Sequence, residues 1–128
     1  MPAALEPRVS RIGQISINVK DLDRATAFYR DRLGLKHLFT VPKMAFFDCS
    51  GVRLMLGIAE KPEFDHPGSI LYLVARDIEG THATMTGEGV SFEAAPHKVA
   101  DLGDRDLWLA FFRDTEGNLL ALMEEKPH

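Results

Sequence analysis

The chain repeats one pattern twice, and that repeat constrains its fold more than any other feature. In QISINVKDLD, Gln14 to Asp23, the apolar residues Ile15, Ile17 and Val19 alternate with Gln14, Ser16 and Asn18, the period of a strand with one buried face. A helix signal follows at once in DLDRATAFYRDRLGLK: Asp21 suits the N-cap, Leu22, Ala25, Phe28, Tyr29 and Leu33 recur at helical spacing, and Gly34 suits the position just past the end. The same order returns 56 residues later in ILYLVARDIE, with Asp77 in the place of Asp21, Ile78 in that of Leu22, and Leu71 and Leu73 in those of Ile15 and Ile17. Gln14 therefore corresponds to Ile70, and Ser16 to Tyr72. The second helix, from about Ile78 to Glu88, is weaker because Thr and Gly lower its propensity, and Gly89 closes it.

The duplication runs on past the helices. FFDCSGVRLML and FFRDTEGNLLAL each carry an Asp-x-x-Gly turn between apolar runs, at Asp48–Gly51 and Asp114–Gly117. Asp initiates turns and Gly accepts a left-handed backbone, so each reads as a hairpin. With strands near Lys36–Val41 and Val90–Ala94, each half becomes strand, helix, strand, strand, strand. The boundaries fall at about 11–60 for the first module, 61–68 for a linker and 69–125 for the second module, in one domain. The turns are offset by 66 residues where the first strands are offset by 56, so the second module carries about ten extra residues. They fall in PHKVADLGDRD, Pro96 to Asp106, which reads as an elaborated loop or flap. The opening MPAALEPRVS has two prolines and no periodicity, and reads as an extended arm.

At 128 residues and 45% apolar content the chain is long enough for one packed core. A net charge of −4 argues against a phosphate-neutralising surface, and so against nucleic acid as a partner. No apolar run reaches the roughly 20 residues that span a bilayer, so no membrane partner is expected. The single cysteine, Cys49, has no internal disulfide partner, which fits a cytoplasmic location.

IGQISINVKDLDRATAFYRDRLGL followed by AFFRDTEGNLLALMEE, with the matching interior copies, resembles the vicinal oxygen chelate superfamily of glyoxalase I, bleomycin-resistance proteins and extradiol dioxygenases. The likeness runs from about Arg11 to Glu125. It implies an α+β fold: two tandem βαβββ modules whose eight strands form an incomplete barrel around a cleft, with helices on the outer face. It also implies a homodimer, in some members with modules exchanged between chains. Metal-using members place ligands on the first and last strand of each module, positions that correspond here to Gln14, Met55, Ile70 and Ala121. Ile70 and Ala121 offer no donor, Met55 only a soft thioether, and one amide oxygen does not hold a hard cation. The expectation is no metal and no cofactor.

The cleft is then expected to bind a small, partly apolar organic molecule through Gln14, Ser16, Asn18, Arg53, Met55, Ile70, Tyr72 and Ala121, an apolar lining with a few placed polar groups. The bland alternative is that Gln14 satisfies a neighbouring group. His97, at the start of the extra segment, is the histidine best placed for general base chemistry, with a surface loop histidine as the plain reading. His37, His66, His82 and His128 have no ligand spacing, and His82 is expected to be solvated. Asp48 and Asp114 are explained by their turns. Trp108 and Phe112 share one face of their strand and Phe111 the other, with the cleft-facing side open. Three functions follow: metal-free binding of the bleomycin-resistance kind, a metal-independent lyase or isomerase acting on a small carbonyl compound through His97, or a ligand-free assembly module.

Overall fold

A computed structural model describes residues 11–128, so the arm read at Met1–Ser10 lies outside the described residues. The elements follow in the order β1 (Gln14–Asn18), α1 (Leu22–Ala27), β2 (Lys36–Val41), β3 (Met44–Cys49), β4 (Val52–Gly57), a 3₁₀ turn at Pro62–Phe64, β5 (Leu71–Val74), α2 (Ile78–Gly87), β6 (Ser91–Phe92), β7 (His97–Asp101), β8 (Arg105–Arg113) and β9 (Leu119–Pro127). Both helices start as their sequences dictate. The Asp21 carboxylate accepts from the Arg24 N–H and the Asp77 carboxylate from the Gly80 N–H, both at 3.1 Å, satisfying amides the helix leaves open. Helix α1 is continued by a wide turn over Phe28–Arg32 in which the Leu33 N–H reaches back five residues to the Phe28 carbonyl. No helix among the described residues is long and apolar enough to cross a membrane.

The strands form two open sheets, ordered β1-β4-β3-β2 and β5-β9-β8-β6, with β7 also paired to β8. The registers repeat the internal symmetry: Ser16 lies beside Met55 in the first sheet and Tyr72 beside Ala121 in the second. Phe46 faces Met55 and Phe111 faces Ala121, so the paired phenylalanines match at an offset of 65, and the second hairpin holds one extra residue at its turn. Alternation then divides the faces. Ile17, Leu54, Leu56 and Phe47 from one sheet, and Phe112, Leu120 and Leu122 from the other, join Phe28, Tyr29, Ile78 and Met85 in one continuous core beneath the helices. The opposite faces carry Gln14, Ser16, Arg53 and Met55 in the first sheet, and Tyr72, Val74 and Phe111 in the second. Phe112 is fully buried and Trp108 packs against the core, so Phe111 holds the open face, beside Tyr72.

Segment Pro96–Asp106 corrects the expectation of a loop. His97–Asp101 forms β7 and pairs with β8, with Asp101 opposite Asp106. The extra residues lengthen an existing hairpin. Strands β6 and β7 lie in turn along β8, which is why the described residues hold nine strands where eight were read. Periodicity missed β7 because the ladder shifts between Lys98 and Ala100, and a shifted ladder breaks the alternation of side chains.

What joins the two modules is the β8–β9 turn. The Asp114 carboxylate accepts from the backbone N–H of Glu116 and Asn118, each at 2.8 Å, and from the Tyr29 hydroxyl, also at 2.8 Å. Tyr29 comes from the first module and is fully buried. Burial, then the Asp114 charge, pushes its phenol well above the usual range, so it remains a donor throughout the physiological range. Glu116 caps α1 from across the module boundary. Its Oε1 accepts from the N–H of Lys20 and Asp21 at 2.7 and 2.9 Å, and its Oε2 from Arg24 Nε at 2.9 Å. Burial alone would raise the Glu116 carboxyl, but the Asp21 N–H, the Arg24 guanidinium and the Lys20 N–H outweigh it and hold the group below its usual range.

Two outcomes follow. Tyr29→Phe removes a buried donor from Asp114 and should destabilise the fold by about 1–3 kcal/mol in urea unfolding, while a change near zero removes the bond from the account. The Glu116 contribution is full above its unfolded pKa of about 4.3 and is lost as pH falls through the lower folded value. The stability gap between the unmodified protein and Glu116→Gln should therefore narrow on acidification to about pH 3, and a gap that does not narrow overturns the assignment.

Candidate functional site

The open face of the first sheet forms a groove of about 500 Å³ lined by Ser16, Asn18, Met44, Met55, Gly57 and Ile58, with Phe64 and His66 of the linker as its far wall. A cavity of this size suits a small organic molecule. The linker is tied down by Asn18, whose amide nitrogen donates to the carbonyls of Phe64 and His66. Gly57 keeps the floor low: a Cβ there would stand 3.3 Å from Met55 Cε and 4.0 Å from Met44 Cγ.

Gln14 and Arg53 adjoin the groove through Met55. Arg53 Nε donates to Gln14 Oε1 at 2.8 Å, and Gln14 Nε2 lies 3.7 Å from Met55 Sδ. The Arg53 guanidinium stacks over the Phe46 ring, 5.1 Å from its centroid, and Phe39 packs on that same ring at 4.6 Å. Phe46 is thereby buried although it faces the open side. Asp48, opposite Arg53 across the β3–β4 ladder, turns its carboxylate back to the Gly51 N–H at 2.9 Å.

The remaining sequence candidates lie on the second sheet. Ile70, Tyr72 and Val74 stand open on its face, 38%, 47% and 80% exposed, and Tyr72 meets Phe111 edge to face at 6.0 Å. Ala121 sits between Tyr72 and Phe111 in the ladder and has no exposed surface, so its methyl is not a ligand contact: the flanking aromatic rings close over it. His97 lies on β7 opposite Leu109, which pairs with Met123, itself paired with Val74, so the four share the open face. Its Nδ1 is 3.0 Å from the Ala95 carbonyl, an acceptor only, so that nitrogen carries the proton. Ser16, Asn18 and Met55 thus line one groove with Gln14 and Arg53 beside it, while Ile70, Tyr72, Ala121 and His97 belong to the other sheet. The groove lining includes no residue of that sheet. Met44, Gly57 and Phe64 escaped the sequence reading because nothing in their local pattern ties them to Gln14. His82 is half-buried rather than freely solvated: it packs edge-on against Phe92 at 4.5 Å.

The four positions that the sequence resemblance implies as metal ligands carry a donor set that does not fit one. The Gln14 amide oxygen is engaged by Arg53, Met55 offers a thioether, and Ile70 and Ala121 offer hydrocarbon. The neighbouring guanidinium adds a fixed positive charge that opposes a second cation. Among the described residues a different cluster, Asp101, Asp106 and His128, brings three donor atoms within 4.8 Å of one another at the far end of the β7–β8 hairpin. Asp106 is already engaged there by His128 at 2.8 Å and Lys98 at 3.3 Å.

Comparison with known proteins accords with this architecture. Residues 11–122 match the model of the Glyoxalase/Bleomycin resistance protein/Dioxygenase superfamily. A member of that superfamily from Sphaerobacter thermophilus is 26% identical and superposes with a TM-score of 0.75 over 91% of this chain and 98% of its own. A lactoylglutathione lyase from Agrobacterium tumefaciens is 23% identical, with a TM-score of 0.71 over 91% and 94%. An integron cassette protein from the mobile metagenome of V. cholerae is 18% identical, with a TM-score of 0.72 over 91% and 96%. The last two likenesses speak to the fold alone.

Proposed function

The chain belongs to the Glyoxalase/Bleomycin resistance protein/Dioxygenase superfamily, and we propose that within it the protein binds a small, partly apolar organic molecule in the β1–β4 groove without a metal. The observation that carries this reading is the Gln14–Arg53–Met55 cluster beside that groove. It puts an amide and a thioether at two positions where a metal-using relative needs anionic or imidazole donors, with a guanidinium beside them, and it adjoins a lining dominated by Met44, Met55, Ile58 and Phe64.

The working unit is a homodimer. Ile70, Tyr72 and Val74 form an apolar strip on the second sheet that one chain leaves open, and the first-sheet groove lacks a wall on the side its linker does not reach. A second copy covers both if the strip of one chain closes the groove of the other. In that arrangement Gln14 and Tyr72, expected in one cleft, come from different chains.

A second reading rests on His97. With Nδ1 donating to Ala95, Nε2 is left as an acceptor on the open face, the tautomer a general base requires. In the dimer it would face the bound molecule and support metal-independent lyase or isomerase chemistry. Binding is the leading reading because it needs only the groove.

N-phenyl-1-naphthylamine, an uncharged apolar fluorophore, tests the groove. Saturable fluorescence enhancement is expected, and Gly57→Val, which fills the floor without removing a polar group, should weaken it about ten-fold. No saturable signal, or an unchanged affinity in Gly57→Val, overturns the assignment. Sedimentation tests the dimer: Val74→Glu should yield monomers with an unchanged circular dichroism spectrum, since the residue is 80% exposed in the single chain. A dimer that survives the substitution places the interface elsewhere.

A further inference from the structure

We infer that Arg53 is an anion anchor, and that the molecule bound in the groove carries a carboxylate or similar planar anionic group at one end of an apolar body. The inference rests on the groove being a binding site and adds the chemical class of its occupant.

Three restraints act on the Arg53 side chain, and none neutralises it. Gln14 Oε1 accepts its Nε–H at 2.8 Å, which fixes the rotation of the guanidinium plane. The Phe46 ring covers one face of that plane at 5.1 Å and is itself held by Phe39 at 4.6 Å. Met55 Sδ holds the other end of the Gln14 amide, 3.7 Å from Nε2, so the amide presents its oxygen to Arg53.

The charge has no carboxylate partner among the described residues. Among the described residues the ion pairs of arginine are made by Arg24, Arg30, Arg105 and Arg113, and Arg53 has no acidic oxygen within 4.0 Å. The acid best placed to pair with it, Asp48, is opposite it in the ladder and instead closes its own turn on Gly51. Both terminal nitrogens of Arg53 are therefore left without a protein acceptor among the described residues. A guanidinium fixed at Nε, stacked on an aromatic face and open at its two ends, is the geometry that receives a carboxylate through two parallel hydrogen bonds.

The groove supplies the rest of the molecule's outline. Arg53, Met55 and Gly57 follow one another on the same face of β4, so the anchor and the groove floor lie along one line of about 13 Å. An anion at Arg53 places its apolar portion over Met55 and toward Met44 and Phe64. Lys43 and Glu60 are also in the lining, with the Lys43 carbonyl beside Gly57 at the end of β4 away from Arg53.

A matched pair of probes tests the anchor. 4-Phenylbutyrate and 4-phenylbutyramide have nearly the same shape and differ in charge. In competition with N-phenyl-1-naphthylamine, the acid should displace the fluorophore at a concentration about ten-fold lower than the amide does. In Arg53→Met the ratio should fall to about one, and in Gln14→Met, which frees the guanidinium to rotate, it should fall part of the way. Equal displacement by acid and amide in the unmodified protein overturns the inference, as does a preference that persists in Arg53→Met, which would assign the anion to Lys43. Displacement by neither compound, with the fluorophore bound, also overturns the anchor and leaves the groove standing. Failure of the fluorophore to bind removes the groove reading itself, and the anchor with it.

Discussion

The arrangement of the two modules depends on a five-residue turn that belongs to one and serves the other. Asp114 folds the turn onto itself through the amides of Glu116 and Asn118, and the same carboxylate takes the buried hydroxyl of Tyr29. Glu116 then satisfies two backbone amides at the start of α1, where a helix leaves donors unpaired and favours negative charge. Asn118 adds a bond from its amide to the carbonyl of Asn18, at the end of β1. The polar contacts sit at the rim of the shared core, where Phe28 of one module meets Phe112 of the other at 6.5 Å. Apolar packing of this kind is strong but weakly directional, and the turn supplies the direction.

The clamp is not repeated. The corresponding turn of the first module uses Asp48 only to hold Gly51, and α2 is capped from its own module, where Glu124 accepts the Ile78 N–H at 2.9 Å. Internal duplication therefore reproduces strand registers and helix caps but not the contact between copies. One duplicated turn became a joint and the other remained a turn, so the modules meet along one side and both open faces stay accessible. That asymmetry leaves room for a groove.

Local rules made most of the frame legible. Strand alternation at Ile15–Val19 and the N-caps at Asp21 and Asp77 each depend on a few adjacent residues, and the structure has them where the sequence put them. The repeat also relates the two registers, since Ser16 beside Met55 in one sheet corresponds to Tyr72 beside Ala121 in the other. Two features escaped for a physical reason. Strand β7 was hidden by a shift in its ladder, and the joining role of Asp114 and Glu116 depends on partners up to 96 residues away. The site was half legible: the repeat placed Gln14, Arg53 and Met55 on one face, but the groove also needs Gly57 from the strand end and Phe64 from the linker, which share no period with them. Ala121 failed as a contact because position on a face does not guarantee exposure, and bulky neighbours on both sides cover a methyl group.

On the proposed anchor, the poor donors at the four equivalent positions have a physical reason. A divalent cation must be held by several oxygen, nitrogen or sulfur atoms that converge from both modules, so each of those positions is constrained by the others. A guanidinium brings its charge on its own side chain and needs only orientation, which Gln14 and Phe46 provide from within one sheet. Once positive charge comes from β4, nothing requires polarity at Ile70 or Ala121, and those positions can join the apolar strip of the second sheet. The exchange has a chemical consequence. A single, delocalised charge polarises a bound oxygen less than a metal does, but it matches a planar anion in two hydrogen bonds and discriminates against neutral groups of the same shape. Such a site selects and holds a ligand more readily than it activates one. On the proposed anchor, a guanidinium in place of a metal is consistent both with hydrocarbon at Ile70 and Ala121 and with a site that holds a ligand more than it activates one.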